Sequence, residues 1–279
     1  MVDYTHAEQY TLSIRVSTDG LCFAVHHPER TEEYAYHPYE VDPLLPVVAN
    51  LREAQEALSL LRHRYGKVQV LLADTPCAVV PREYDAVVSP CPEKSRPLTA
   101  TLPTGEVLRF NADEALFRWV HEALSPTLPV GRTDGVGDAV SYIPGLYSVL
   151  RFAFCSAVSS TDAGGSELPF VLCHLHGRLM DIVCIRDGKL SFVNTFDSSC
   201  AANALYYLMG TWQMLGLSQL NDVLTLVGRS ACLREFRAKA NRFIRHINEP
   251  RPADLFHATE LARLAAVPFD LQTLVNGLP

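Results

Sequence analysis

Apolar and polar positions alternate with a period of two along Tyr10 to Val16 and again along Leu21 to His27, with Asp19-Gly20 between them. Alternation of this kind marks half-buried strands, and Asp-Gly is the dipeptide that a tight hairpin turn favours. Glu32 to His37 adds a third strand. The period then changes: Leu44, Val47, Val48, Leu51, Ala54, Leu58 and Leu61 fall on one face of a helix over 44–65, which Gly66 ends. Val68 to Ala73 is a short apolar run and reads as a buried fourth strand.

The same succession returns after the middle of the chain. Three apolar-rich runs lie between Phe170 and Phe196, divided by turn signals at His176-Gly177 and Asp187-Gly188. A helix follows over 201–215, with Ala204, Leu205, Leu208, Met209, Trp212 and Leu215 at helical spacing. Asp222 to Val227 is then a strand ending at Gly228. Both parts therefore have the order β-β-β-α-β. No residue-level identity links the copies, so the repeat is one of architecture. Two such halves flanking a cleft are the plan of the actin, hexokinase and Hsp70 group. The expected fold class is α/β, an actin-like ATPase (ribonuclease H-like) fold.

Between the halves, 98–102 and 106–110 flank Thr104-Gly105 as a hairpin, and 74–81 reads as extended. Asn111 is the expected N-cap of a helix over 113–124. A strand over 139–143, a helix over 146–157 and a linker, Ser159 to Ser166, come next. The boundary is placed in that linker, giving halves of 1–162 and 163–279. The segment 252–278 is helical in pattern and expected to pack back onto the body.

Asn194-Thr195-Phe196, Ala204 to Leu208, Asp222 to Gly228 and the opening Tyr10 to Arg15 with Asp19-Gly20 together resemble an uncharacterised bacterial family with an actin-like ATPase fold. The resemblance covers most of the chain, most specifically residues 170–230. It implies a fold and leaves the activity open.

An ATPase of that plan cradles phosphate with two glycine-containing hairpin turns, admits adenosine at a glycine pair, and uses carboxylates to organise magnesium and water. The positions of this chain that correspond are Ser17, Thr18 and Gly20 in the first turn, His174, His176 and Gly177 in the second, and Gly228 with Arg229 at the adenosine position. Each departs from the pattern. Arg15 and Val16 stand where an aspartate-glycine lead-in is expected. His174 replaces a carboxylate, and a neutral imidazole is a poor magnesium ligand. Arg229 takes the second glycine and would crowd a base, although an anion could lodge near it. His174 and His176 share a strand face, which suggests a transition metal, but no Asp, Glu or Cys stands at ligand spacing to complete a site. They read as structural histidines, and no metal is assigned. Asn194 and Thr195 either cap the following helix or line the cleft.

Other chemistry finds little support. There is no G-x-S-x-G elbow, and Gly131, Gly135 and Gly137 have neither Walker nor dinucleotide spacing. A net charge of −7 over 279 residues argues against a general nucleic-acid surface. The densest cationic stretch, Arg234 to Arg245, is interleaved with Leu233, Phe236 and Ile244 as the solvated face of an amphipathic helix. The opening residues lack a signal-peptide pattern, and no apolar run is long enough to span a bilayer. The eight cysteines form no C-x-x-C pair and are expected to be reduced and mostly buried.

These readings give a cytoplasmic protein without membrane contact, and a non-catalytic scaffold that binds another protein through its cleft or outer faces. No cofactor is assigned, ATP with magnesium being the one considered. The alternative is a nucleotide-binding ATPase or switch with unusual phosphate-loop residues.

Overall fold

The computed structural model describes residues 2–84, 93–124, 139–160, 168–256, 264 and 266–276. The glycine-rich run with Gly131, Gly135 and Gly137, most of the expected linker, and Cys91 lie outside the described residues.

The chain forms two compact units, one running through Gly145 and the other beginning at Leu146. In the first, β1 (Thr11–Ser17), β2 (Gly20–His26) and β3 (Tyr34–Tyr39) form an antiparallel meander. After α1 (Val47–Ala57), β4 (Lys67–Leu72) returns parallel to β1, and β8 (Val140–Pro144) pairs parallel to β4. The strand order is β3-β2-β1-β4-β8. β5 (Cys77–Val80), β6 (Ser95–Thr101) and β7 (Val107–Asp113) form a separate small sheet in the order β5-β7-β6, and α2 (Glu114–Leu124) follows it. Leu12, Ile14, Phe23, Val68 and Val70 share one core with Leu51 and Ala54 of α1 and Leu116, Trp119 and Val120 of α2.

The second unit repeats the plan. It opens with α3 (Gly145–Ser160), whose first residue closes the first unit. β9 (Phe170–His176), β10 (Leu179–Arg186) and β11 (Lys189–Asp197) form the meander, and α4 (Ala201–Met214) follows. β12 (Val223–Arg229) then pairs parallel to β9. After α5 (Leu233–Ala240), the short β13 (His246–Asn248) pairs parallel to β12, and α6 (Pro252–Leu255) and α7 (Phe269–Val275) end the described chain. The strand order, β11-β10-β9-β12-β13, repeats that of the first sheet. Cys173, Leu175, Met180, Ile182, Leu224 and Leu226 pack with Ala204, Leu208 and Trp212 of α4 and Phe236 of α5.

Local departures from the sequence reading have physical causes. The first long helix stops at Leu58, whose φ/ψ of −106°/112° is extended, and a short 3-10 turn, Ser59–Arg62, takes over. That break turns both Leu60 and Leu61 into the core, while Arg62 donates to the freed carbonyls of Gln55 and Glu56. Asp113, not Asn111, caps α2: its Oδ1 accepts the N–H groups of Ala115 (2.8 Å) and Leu116 (3.0 Å). The units part at Gly145/Leu146 rather than at 162/163, because Phe152 of α3 packs on Phe256 and Phe269 of the second unit. Of the described residues in the 252–278 segment, Pro252–Leu255 (α6, a single turn) and Phe269–Val275 (α7) are helical.

The cationic stretch behaves as a solvated face. Phe236 and Ala240 of α5 are buried, while Arg237 pairs with Glu249 and Lys239 with Glu235. Among the described residues no cysteine is in a disulfide; Cys22, Cys173 and Cys184 are buried, Cys77, Cys155 and Cys232 are half-buried, and Cys200 is exposed. No helix among the described residues is long and apolar enough to cross a membrane.

Two predictions arise here. Asp187 (φ +53°) and Gly188 (φ +69°) both adopt left-handed backbone, as the two-residue turn between β10 and β11 requires. A Cβ on Gly188 would meet nothing within 4 Å, so only the backbone penalty acts. Gly188→Val should therefore cost about 1–3 kcal/mol in urea unfolding. An unchanged midpoint would count against this turn.

The second concerns His26 at the end of β2. Burial, with help from the charges of Lys67 and His27, pushes its pKa from 6.5 down to about 4. The unfolded chain thus binds a proton that the folded chain refuses, so stability is full above pH 6.5 and declines as the pH falls toward 4. The loss is at most about 3 kcal/mol by linkage. His26→Gln should remove that part of the pH dependence, and a stability difference between variant and wild type that stays flat from pH 7.5 to 4.5 would refute the assignment.

Candidate functional site

In β9, His174 and His176 are two residues apart and project to the same face, opposite Cys173 and Leu175, which belong to the α4–α5 core. The β9–β10 loop is the two-residue turn Gly177-Arg178, since His176 pairs with Leu179. That register puts Asp181 directly opposite His174, and β11 puts Thr195 opposite Asp181. Three strands thus align Thr195, Asp181 and His174 in one row.

Asp181 Oδ2 lies 3.0 Å from His174 Nδ1 and 3.1 Å from His176 Nε2. Its other oxygen, Oδ1, accepts the Thr195 hydroxyl at 2.7 Å. The two imidazoles stack at 4.7 Å with 12° between their planes, and the Phe269 ring of α7 lies 5.7 Å from His174. His174, His176 and Asp181 are only 2%, 5% and 3% exposed. Burial pushes the Asp181 pKa up, but the charge on His176 and the hydrogen bond from His174 outweigh it and hold the carboxylate well below its usual range. For His174, burial dominates and pushes the imidazole down against the Asp181 hydrogen bond.

The reading that no acidic residue completes a pair of histidine ligands is corrected here. Asp181 does so across the hairpin: one donor atom from each of His174, His176 and Asp181 falls within 4.8 Å of the others. Thr195 neither caps α4, whose N-cap is Cys200, nor stands alone; it orients Asp181, while Asn194 Oδ1 accepts the Thr195 N–H at 2.9 Å.

Gly228 sits at the end of β12 with φ +95°. A Cβ there would come within 2.1 Å of the Leu175 carbonyl oxygen, so the glycine permits the close approach of β12 to β9. Arg229 pairs with His176 in the strand register and donates to the Ala266 carbonyl at 3.0 Å. Ser230 lies just before α5, whose N-cap is Cys232; its hydroxyl donates to the Gly177 carbonyl at 3.2 Å and accepts the Cys232 N–H at 3.4 Å. A pocket of about 240 Å³ opens beside this strand end, lined among others by Gly228, Arg229, Glu249, Arg251, Phe269 and Gln272. Its volume is below the range of roughly 300–1,000 Å³ that accommodates drug-sized ligands.

In the first unit, the turn Ser17 to Gly20 is held from within. The buried Arg15 guanidinium donates to Ser17 Oγ (2.7 Å) and Asp19 Oδ1 (3.3 Å). Ser17 Oγ also lies 2.9 Å from the Gly20 carbonyl. The Thr18 N–H and hydroxyl both donate to Asp74 Oδ2, at 2.5 and 2.6 Å. The sequence reading missed Asp74, which stands 56 residues from Thr18. So the turn's amide, the kind of donor that would meet a phosphate oxygen, already faces a carboxylate.

The family described as "Protein of unknown function (DUF3822)" matches residues 2–85 and 152–247. No curated protein matches the chain. Among solved structures, a Bacteroides thetaiotaomicron VPI-5482 protein of actin-like ATPase fold and unknown function superposes with a TM-score of 0.77 at 22% identity. That alignment covers 99% of this chain and 98% of the other. The PilM-PilN type IV pilus biogenesis complex supplies a second likeness, with a TM-score of 0.55 at 13% identity over 95% and 94% of the two chains. The fold is that of the actin-like ATPases, and the strand order of both sheets agrees with it.

Proposed function

The chain belongs to the DUF3822 family, whose function is unknown, and we propose that it is a cytoplasmic, non-catalytic actin-like scaffold that binds another protein. One observation carries this reading: the groups that would serve phosphate and magnesium are committed internally. Thr18 serves Asp74, and Asp181 serves His174, His176 and Thr195. A magnesium ion needs hard oxygen ligands in near-octahedral array, and two imidazoles on the one carboxylate of this hairpin are a poor substitute. A protein of the same fold, PilM, was solved with a second protein, PilN, which supports binding of a partner as a use of this architecture.

Thermal melts with and without Mg-ATP test the non-catalytic half, and no shift is expected. Ligand at 100 times its dissociation constant would stabilise by about 2.7 kcal/mol, and such a shift would overturn the reading. Crosslinking in the native cell, followed by reconstitution of the purified pair, tests the other half: one partner at fixed stoichiometry is expected. A second reading, a nucleotide-binding switch, draws on the pocket beside Gly228 and Arg229. A melt shift with ATP that Gln272→Leu abolishes would favour it.

A further inference from the structure

The His174–His176–Asp181 cluster has the composition and spacing of a transition-metal site. Its donors are two imidazole nitrogens and one carboxylate oxygen, a set that suits zinc, iron, cobalt or manganese and not magnesium or calcium. With metal–ligand bonds near 2.0–2.2 Å, neighbouring donors on one coordination sphere lie roughly 2.9–3.5 Å apart. Asp181 Oδ2 already stands 3.0 Å from His174 Nδ1 and 3.1 Å from His176 Nε2. All three donors lie within 4.8 Å of one another, so drawing the two nitrogens inward around an ion needs rotation of imidazoles, not movement of strands.

The surroundings supply what such a site needs beyond its ligands. Thr195 donates to Asp181 Oδ1, which fixes the carboxylate with Oδ2 toward the histidines, as partners of ligating groups commonly do. A buried carboxylate calls for a cation within bonding distance. The ligands sit on two paired strands, so their backbone positions are set by the ladder.

We propose that His174 Nδ1, His176 Nε2 and Asp181 Oδ2 bind one divalent first-row transition-metal ion, of the zinc class. The ion takes the place of the ring proton that His174 Nδ1 shares with Oδ2, that proton leaving to solvent, and gives the buried His176 Nε2 a cation to bind. This site is independent of whether the chain binds a protein, and it holds for a scaffold as for a switch.

The test uses the untagged full chain, stripped with a chelator and titrated first with Co²⁺ and then with Zn²⁺. Wild type is expected to take up one Co²⁺ with visible d–d absorption, and Zn²⁺ is expected to displace it. Of the ten histidines in the chain, the ring ¹⁵N signals of His174 and His176 should be the two that shift on adding Zn²⁺. Asp181→Asn and His176→Gln should each weaken binding at least about 100-fold, and Thr195→Val about 10-fold to 100-fold. Mg²⁺ and Ca²⁺ should not compete. If a substituted chain fails to fold by circular dichroism, the wild-type ¹⁵N shifts and the cobalt spectrum decide the question alone. Folded wild type that retains no Zn²⁺, or Zn²⁺ that shifts other histidines instead, would overturn the proposal.

Discussion

Gly228→Ala is expected to destabilise the protein by about 2–6 kcal/mol, a large effect for the addition of one methyl group. Two costs add. Gly228 has φ +95°, a region that residues with a Cβ enter at a cost of about 1–3 kcal/mol. The new Cβ would also stand 2.1 Å from the Leu175 carbonyl oxygen, 3.0 Å from its carbon and 2.8 Å from His174 Cδ2. Two of those three atoms are backbone of the neighbouring strand, so relief requires β12 and β9 to separate where they are hydrogen-bonded. Forced overpacking of this kind costs about 1–3 kcal/mol more. Gly188→Ala is the control, since it keeps the positive φ penalty and meets nothing within 4 Å. Urea unfolding of both variants checks the argument: a Gly228→Ala loss no larger than that of Gly188→Ala would remove the close approach from the account.

Asp181→Ala is expected to cost about 3–5 kcal/mol, the range for breaking a buried charge network by deleting one member. The deletion leaves His174, His176 and the Thr195 hydroxyl without the acceptor that all three share. Asp181→Asn keeps a side-chain oxygen of the same size, so it should cost less, about 1–3 kcal/mol. The combined variant His174→Phe, His176→Leu, Asp181→Leu and Thr195→Val removes the whole network and should recover most of the loss, because a well-packed apolar set substitutes for a buried ion pair at little net cost. Chemical denaturation of the metal-free proteins measures all three. Equal losses for Asp181→Ala and Asp181→Asn would mean that the oxygen atoms do not carry the stabilisation.

The fold was legible because its signals are local. Period-two runs, the Asp-Gly turns and the change to helical spacing lie within a few residues of one another, and both meanders and both first crossovers follow from them. The edges of the description failed where a distant contact decided. Helix α1 ends at Leu58 because Leu60 and Leu61 both find the core, which helical spacing alone does not reveal. The strand expected over 139–143 is β8, but its place beside β4 was not readable, and a three-residue strand such as β13 carries no pattern of its own. Helix α3 belongs with the second unit through the ring contacts of Phe152, more than a hundred residues away from its partners Phe256 and Phe269.

The candidate site divides in the same way. That His174 and His176 share a face was readable from their spacing, and so were the glycines of the turns. Asp181 was within reach: with Gly177-Arg178 as the two-residue loop, His176 meets Leu179 and His174 meets Asp181. Placing the turn at His176-Gly177 instead pairs His174 with Leu179 and sets Asp181 opposite Leu172, a shift of two residues that keeps the face but moves Asp181 out of the row of His174.

The sequence by itself determined the alternation, the turns and hence the repeated β-β-β-α-β order, since each depends on neighbours along the chain. Only the tertiary structure decided that Asp74 occupies Thr18, that Thr195 orients Asp181, and that Gly228 must lie against Leu175. Those pairings join residues from different strands or loops, and their geometry is set by strand register and by the core packing that holds the strands in place.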